Sequence, residues 1–294
     1  MATVKFEEKS PYQQEKRTED HTDFKYKNYL EHSGLRAIHA INILSYPKFR
    51  LAYIVDADPE RLRKIKEEFG LTNTVLLSPE EQDKVFNDSK VDGIIIATPT
   101  FTHESIVTKG LKAGKAVFCE KPISQNEGGT QRCYEVAKQV EKPLFCAFNR
   151  RYEPSFREVF NQVREGKVGR VHLIKTVSRD SPLPPIEYIK IAVSFRKSGA
   201  LNDYDTVAIT LLFPSGTIGM IDLSRNAIYG YDQRLEVFGP GGMVSASNEA
   251  PMQVTYSGLS SQSHPPIYHS FPSRYQEGYR EELRNFHGIM EGEE

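Results

Sequence analysis

A regular alternation of short apolar runs with amphipathic helix patterns over residues 36–149 constrains the fold of this chain more than any other feature. "FRLAYIVD" (49–56) is typical of a strand, and just after it Asp58 can cap a helix whose first residue is Pro59. "VDGIIIATP" (91–99) is apolar nearly throughout, as a parallel strand buried on both faces should be. The alternation predicts a parallel sheet wound with helices. The apolar runs that continue it are "KAVFCEKP" (115–122) and "KPLFCAFNRR" (142–151).

The sequence changes character after Gly169, where short runs of β-forming residues follow one another and 214–216 form a hairpin turn. We therefore predict an α/β protein with two domains. The first is a Rossmann-like, doubly wound parallel domain over 34–149, and the second is an α+β domain with a large open, mainly antiparallel sheet over 150–294. Residues 1–33 are polar and lack a periodic apolar pattern, which predicts a disordered N-terminal segment.

Basic and acidic side chains are nearly balanced, 38 against 39, so the formal net charge is −1. This balance gives no electrostatic reason to expect nucleic acid or an anionic membrane as a partner, and it favours a small neutral or mildly polar ligand. The cysteines Cys119, Cys133 and Cys146 are widely spaced, which favours buried reduced thiols over a disulfide or a metal site. The start of the chain is too charged for a signal peptide, and no apolar run approaches the ~20 residues of a membrane span, so we expect a cytoplasmic protein.

Polar residues occur at the ends of three predicted strands: Asp56, "TPTFTH" (98–103) and "EKP" (120–122). Open parallel sheets bind ligands beyond the carboxyl ends of their strands. Asp56 is the residue type that accepts hydrogen bonds from the ribose hydroxyls of NAD and repels the extra phosphate of NADP, but it could equally be a turn residue. "TPTFTH" could pack against the nicotinamide half of a dinucleotide, or form a turn in which Thr102 caps the next helix.

Lys121 is a candidate acid/base residue. It follows a predicted strand end and precedes a rigid proline, so its side chain could be held in place, partly desolvated, and able to exchange a proton with an alcohol. The simpler interpretation is a solvated surface lysine, with Pro122 ending the strand. The residues by themselves leave both interpretations open.

Three stretches together resemble the Gfo/Idh/MocA oxidoreductase family, and within it the inositol 2-dehydrogenase branch: "IIIATPTFTHESIV", "AGKAVFCEKPIS" and "CAFNRRYEPSF", behind "IVDADPER". The resemblance implies hydride transfer between a secondary alcohol of a polyol or sugar and NAD, with NADP less favoured, and it implies Lys121 as the catalytic residue. The residues that it places at the cofactor are Gly34, Asp56, Thr98, Pro99, Thr100, His103, Glu120 and Lys121. Those that it places at the polyol are Arg150, Tyr229 and Tyr231.

The sequence departs from the family pattern at two places. Where the family has a G-x-G-x-x-G turn that lets the backbone approach a pyrophosphate, "DFKYKNYLEHSGLRAIHA" has a single glycine, Gly34. Where the family has an aspartate and a downstream histidine that act as the catalytic base, residues 191–203 contain no histidine, and Asp203 stands just ahead of a predicted strand. The second domain is thus truncated relative to the family, and we expect reduced NAD affinity and turnover.

Three hypotheses remain open at this level. The first is an NAD-dependent polyol dehydrogenase that uses Lys121 as its acid/base residue and can form a homo-oligomer through its C-terminal sheet, as the family does. The second is a catalytically impaired relative that binds a nucleotide or a sugar. The third is an altered form of an active parent protein. A histidine close to Lys121 in the fold would favour the first, and the candidates are His103, His172 and His264.

Overall fold

The computed structural model of the chain describes residues 2–5, 35, 37–182 and 205–293. It divides into two compact units, one formed by Met1–Asn149 together with Glu277–Glu294, the other by Arg150–Gln276. The sequence predicts that all of 150–294 belongs to the second domain, and this is wrong for the C-terminal segment. The reason is an aromatic contact, because Phe286 packs on Phe118 and Phe145 in the core of the first unit.

Strands and helices alternate in the first unit, as predicted. Its elements in chain order are β1 (Ala2–Lys5), α1 (37–45), β2 (Arg50–Val55), α2 (Pro59–Glu68), β3 (Val75–Leu77), α3 (Asp83–Asn87), β4 (Gly93–Ile96), α4 (His103–Lys112), β5 (Ala116–Glu120), α5 (Glu127–Val140) and β6 (Leu144–Ala147). Short 3₁₀ turns cover Pro79–Glu81, Thr100–Thr102 and Asn149–Arg151.

The second unit consists mainly of strands. Its elements are α6 (Pro154–Arg164), β7 (Leu173–Arg179), β8 (Thr206–Leu212), β9 (Ile218–Ser224), β10 (Asp232–Gly239), β11 (Gly242–Ala246), β12 (Tyr256–Ser257), β13 (Gln262–Ser263) and α7 (Phe271–Arg274). The chain then returns to the first unit through α8 (Gln276–Met290).

Helix α2 shows how the local sequence determines the first βα unit. The Asp58 side chain accepts hydrogen bonds from the backbone N–H groups of Glu60 (3.0 Å) and Arg61 (3.3 Å), and Pro59 occupies the first helical position. Gly70, with a φ of 59°, follows the helix in the left-handed region that glycine adopts readily. The cap and the first-turn proline predicted from sequence are therefore confirmed.

Strand β1 runs antiparallel to both of its neighbours in the six-stranded sheet, whose order is β3-β2-β1-β4-β5-β6. The pairs β2–β3, β4–β5 and β5–β6 are parallel. The prediction of a disordered segment over residues 1–33 is wrong for Ala2–Lys5, because backbone groups in the middle of a sheet need hydrogen-bond partners and this "ATVK" stretch supplies them. Residues 6–33 lie outside the described parts of the chain.

The sheet of the first unit buries side chains on both faces. On β5, Val117 and Cys119 join the core against α4 and α5, whereas Phe118 points to the other face, where it stacks on Phe145 at 5.0 Å between ring centroids. The period of two places the Glu120 side chain on the same face as Phe118. All three cysteines are free thiols, as predicted, and burial raises the pKa of Cys119, as it does that of Cys146 to about 11.

The sheet of the second unit has the order β11-β10-β7-β9-β8, and its strands pair antiparallel except for the parallel pair β7–β9. The mainly antiparallel sheet predicted from sequence is therefore confirmed, and its one parallel pair makes it a mixed sheet. Helix α6 covers one face, where Val159 packs with residues of β10 and β11. The opposite face exposes a row of large apolar side chains that the strand register aligns across the sheet. Its exposed members are Leu212, Ile218, Phe238 and Met243.

None of the helices in the described parts of the chain is both long enough and apolar enough to span a bilayer.

Candidate functional site

The residues that follow β2, β4 and β5 meet at one edge of the first unit's sheet. Both β2 and β4 pair antiparallel with β1, and β5 is parallel to β4, so the three strands point the same way. Asp56, Thr98 and Lys121 stand just beyond their carboxyl ends. This is the edge at which open α/β sheets bind ligands.

Asp56 is a buried carboxylate that already has partners within its own βα unit. One oxygen accepts the backbone N–H of Asp58 at 2.9 Å, and both oxygens face Arg61 Nη1 at 3.1 and 3.2 Å. The contact with Asp58 is that of a turn residue, which is one of the two interpretations drawn from sequence. A ribose hydroxyl at this position would have to share the carboxylate with Arg61, whose own side chain is 43% exposed.

His103 connects the segments that follow β4 and β5. Its Nε2 lies 2.8 Å from the carbonyl oxygen of Thr98, and its Nδ1 lies 2.7 Å from the carbonyl oxygen of Pro122. A carbonyl oxygen can only accept, so a ring nitrogen donates in whichever of these two contacts is a hydrogen bond. The ring is 1% exposed, so His103 holds two loops together from inside and does not itself line the ligand edge.

The loop after β4 presents Thr98, Pro99 and Thr100 as partly or fully exposed residues. The hydroxyl groups of Thr98 and Thr102 lie 2.7 Å apart, and the Thr102 hydroxyl donates to the Pro99 carbonyl oxygen at 2.8 Å. Thr102 precedes α4, but its side chain makes no capping hydrogen bond to that helix, so of the two interpretations drawn from sequence the helix cap is wrong. Its hydroxyl instead stabilises the turn.

Glu120 and Lys121 point in opposite directions. The Lys121 side chain is exposed, so the desolvation that the sequence suggests for it does not occur within the described residues. Glu120 is 4% exposed and turns inward, where its Oε1 lies 2.7 Å from His39 Nε2. The strand period explains the difference, because successive residues of an extended segment alternate between faces.

The Glu120 side chain belongs to a buried cluster that we name the acid–imidazole cluster. Its members are His39 on α1, Glu120 at the end of β5 and Glu282 on α8. Their potential ligand atoms lie within 4.8 Å of one another, and all three side chains are buried. Both Glu282 oxygens and His39 Nδ1 lack a hydrogen-bond partner among the described residues. Burial first, and then the nearby charge of Glu120, raises the pKa of Glu282 to about 9.

Two of the residues predicted to contact a polyol lie together in the second unit. Arg150 Nη2 donates to the Ser178 hydroxyl at 3.1 Å and to the Tyr231 hydroxyl at 3.3 Å. The Arg150 guanidinium also lies over the ring of Tyr275, 5.6 Å from its centroid. Burial raises the pKa of Tyr231, which therefore keeps its hydroxyl proton at neutral pH.

Tyr229, the third predicted polyol residue, belongs to a different network. Its hydroxyl donates to Asp232 at 2.7 Å and accepts from Arg179 Nη1 at 2.9 Å. Arg179 and Ser178 are consecutive on β7, so their side chains leave opposite faces of the sheet. Tyr229 is thus separated from the pair formed by Arg150 and Tyr231.

Four of the positions singled out from sequence either fall outside the described residues or belong to the second unit. Gly34 and residues 191–203, including Asp203, fall outside the described residues. His172 and His264 are exposed side chains of the second unit. Of the three candidate histidines, His103 alone belongs to the unit that contains Lys121.

Sequence reasoning missed His39 and Glu282. A usable signal existed for Glu282, since it occurs three residues after Tyr279 and four before Phe286, on the apolar stripe of an amphipathic helix. An acid on such a stripe is buried with it, and a buried ionisable residue near a strand end is a site candidate.

A doubly wound sheet with an acid after β2 and exposed polar residues after β4 and β5 defines a dinucleotide-binding protein of the Rossmann class. Residues 32–148 match the family model described as "Oxidoreductase family, NAD-binding Rossmann fold", and residues 184–245 match the Gfo/Idh/MocA C-terminal domain. The chain belongs to the Gfo/Idh/MocA oxidoreductase family. The predicted family, fold class and NAD-dependent oxidoreductase type are thereby confirmed.

Similar proteins narrow the branch of the family. A myo-inositol 2-dehydrogenase from Thermotoga maritima is 31% identical over 281 residues, covering 85% of this chain and 83% of the relative. An inositol 2-dehydrogenase from Rhizobium meliloti is 30% identical over 286 residues, covering 86% and 85%. A solved structure of a probable dehydrogenase from Thermotoga maritima matches with a TM-score of 0.82 at 31% identity, covering 89% of this chain and 87% of that one. The inositol dehydrogenase-like branch is confirmed, and a purely non-catalytic binding protein is not favoured.

The family's cofactor fits part of the described edge. Asp56, the loop after β4 and Lys121 follow three neighbouring strands at this edge, and their assignment to the adenosine ribose and the nicotinamide end stays a prediction. The pyrophosphate end differs, because β1 runs from Ala2, opposite Ile54, to Lys5, opposite Arg50. Lys5, the last residue of β1, therefore lies at the edge of the sheet away from Asp56.

Proposed function

We propose that this chain catalyses hydride transfer between a secondary alcohol of an inositol-like polyol and NAD, with Lys121 as the acid/base residue. The observation that supports this most directly is the His103 bridge. By binding the carbonyl oxygens of Thr98 and Pro122, it keeps the ends of β4 and β5 side by side, with the Lys121 side chain exposed at the edge where they end. A fixed backbone is what an acid/base group needs in order to act at one atom.

Oxidation of the alcohol requires two separations, a hydride from the carbinol carbon and a proton from the hydroxyl oxygen. The nicotinamide ring of bound NAD supplies the acceptor for the hydride. Lys121, in its amine form, would accept the hydroxyl proton, and as an ammonium group it would return a proton in the reverse direction. Because 191–203 lacks the histidine that the family resemblance assigns to this task, we expect turnover at least ~10²-fold below that of a relative with an intact base.

Arg150 and Tyr231 are the proposed polyol contacts of the second unit. The guanidinium and the phenol present donors within one hydrogen-bonded group, and a polyol offers matching hydroxyl acceptors. Tyr229 is a weaker candidate because Asp232 and Arg179 already occupy its hydroxyl. The inositol dehydrogenases among the relatives support an inositol as the substrate.

The proposal also includes self-association through the second unit's sheet, as predicted from the family resemblance. Its support is the apolar row of Leu212, Ile218, Phe238 and Met243, exposed by 41–77% on the face away from α6. Sedimentation velocity measures the number of chains in the particle. The cytoplasmic location expected from composition stays a prediction.

Substituting Lys121→Ala tests the proposed function. Because the side chain is exposed, the thermal unfolding midpoint should stay unchanged, while NADH formation with myo-inositol should fall by ~10² to 10⁴. Lys138→Ala, an exposed lysine on α5, is the matched control and should keep the wild-type rate. An unchanged rate in Lys121→Ala would remove Lys121 from the reaction, and no turnover by the wild-type chain would refute the activity itself.

A further inference from the structure

The acid–imidazole cluster brings together side chains from three elements inside the first unit. His39, Glu120 and Glu282 are 1%, 4% and 0% exposed. The His39 ring is fixed between Phe118 and Tyr279, with which it makes edge-on contacts at 5.2 and 5.8 Å between centroids. Two carboxylates and one imidazole are thus enclosed at the point where β5 ends.

Charge makes this arrangement costly unless protons or a cation neutralise it. With both carboxylates ionised and the imidazole protonated, the cluster would hold a net negative charge away from water, which costs several kcal/mol. The groups that face Glu282 are Glu120 from β5, His39 from α1 and, more weakly, the Cys146 thiol of β6. No lysine or arginine forms an ion pair with Glu282 within the described residues.

Two observations favour a proton over a metal ion. The His39 Nε2 and Glu120 Oε1 atoms lie 2.7 Å apart, the distance of a charge-assisted hydrogen bond. Two ligands of one tetrahedral zinc ion, each about 2.0–2.2 Å from the metal, would be more than about 3 Å apart. Glu282, whose two oxygens have no donor, is then satisfied best as a neutral acid that can itself donate.

We propose that His39, Glu120 and Glu282 share protons, with Glu282 in its neutral acid form, and that the cluster positions Lys121. Glu120 is bonded directly to Lys121, so an inner side chain held by His39 fixes the direction in which the next side chain leaves the strand. His39 and Glu282 are positioning residues in this scheme. The positioning of Lys121 by the cluster does not depend on the proposed function. Only the statement that Lys121 acts on substrate rests on it.

Glu282→Gln tests the neutral acid, because glutamine reproduces its shape without an ionisable proton. The raised pKa of Glu282 means that its contribution to stability is complete below about pH 4 and is lost as the pH rises toward 9. Between pH 5 and 8, the ratio of the wild-type unfolding constant to that of Glu282→Gln should therefore rise about tenfold per pH unit. Glu281→Gln, the neighbour that pairs with Arg284, should show no such trend. A constant ratio for Glu282→Gln would overturn the proton-sharing cluster.

The positioning role has its own readout, which does not need turnover. Reductive ¹³C-methylation labels the lysines, and the Lys121 signal is the one absent from Lys121→Arg. In the wild type this signal should shift in a transition near pH 9, as Glu282 ionises, and in Glu282→Gln that transition should be absent. Identical titrations in the two proteins would overturn the positioning role, whatever the activity test shows. A stoichiometric divalent metal in the purified chain, lost in Glu282→Gln, would replace the proton with a metal ion and overturn the proposal.

Discussion

Glu282 in the first unit and Asp232 in the second are both carboxylates with almost no exposure, 0% and 1%, yet their surroundings differ completely. Asp232 accepts hydrogen bonds from Arg234, Tyr229 and Asn248. Burial alone would raise the pKa of Asp232, but these three donors outweigh it and lower that pKa to about 2. Glu282 has no donor among the described residues, and its pKa moves the other way.

The difference distinguishes buried acids that hold the fold together from a buried acid that belongs to a candidate site. Another buried acid of the second unit, Glu153, also has partners. It caps α6 by accepting the N–H of Phe156 at 2.7 Å, and it pairs with Arg274 at 3.0 Å. Each of these acids joins parts of the chain that must stay together. A buried acid without donors does nothing comparable for the fold, so its presence beside the end of β5 indicates a task that depends on its proton.

The largest expected effect comes from breaking the framework pair. Arg274→Met leaves Glu153 as a buried charge without its main partner, and we expect a loss of about 3–5 kcal/mol in the free energy of unfolding, measured by urea denaturation. Arg280→Met, which removes an exposed pair with Glu277, is the control and should cost about 0–1 kcal/mol. Similar losses in the two variants would show that burial does not distinguish the pairs.

Asp232→Asn sharpens the comparison through pH. The lowered pKa means that the stability from Asp232 is present above about pH 4 and is lost as the pH falls toward 2. We expect a loss of about 1.5–3 kcal/mol at pH 7, since hydrogen bonds to a charged acceptor are removed, and a smaller difference from wild type at pH 2.5. This dependence is opposite in direction to that expected for Glu282→Gln. A difference that stayed constant from pH 7 to 2.5 would contradict the low pKa.

Tyr229→Phe removes one of the three donors to Asp232 and should have the smallest effect, about 0.5–1.5 kcal/mol in chemical denaturation, because Arg234 and Asn248 remain. The same variant separates the two roles open to Tyr229. A structural role leaves the KM for inositol unchanged, whereas a rise in KM of tenfold or more would return Tyr229 to the polyol site.

The sequence was sufficient for most of the first unit because its strands and helices are determined locally. Apolar runs, the Asp58 cap and Pro59 each act within a few residues, and the strand ends then fall on one edge by topology alone. Strand β1 could not be predicted in this way. Its four residues are stabilised by partners on β2 and β4, about 50 and 90 residues away, and nothing within "ATVK" specifies an antiparallel direction.

Site prediction failed where a side chain's direction depends on distant packing. The "EKP" motif identifies an acid and a lysine, but it does not show which way their side chains point. Glu120 turns inward because its partner is His39, and the neighbouring Lys121 side chain is therefore exposed. The family resemblance groups Arg150 with Tyr231, and the two side chains are in contact at 3.3 Å, while their role at a polyol stays a prediction. The sequence does not separate Tyr229 from Tyr231, two residues away. The two side chains bond to partners on opposite faces of the sheet, and no local signal indicates that difference.

The direction of β1 has a practical consequence for work on this protein. Ala2 pairs beside Ile54 and Ile95, near the carboxyl ends of β2 and β4, so anything fused ahead of it emerges where a dinucleotide would bind. Met290, at the end of α8, packs against Gly93 at the start of β4, which is the far edge of the same sheet. We therefore expect an affinity tag or fluorescent fusion at the C-terminal end to leave the ligand edge open, whereas one placed ahead of Ala2 would begin at that edge.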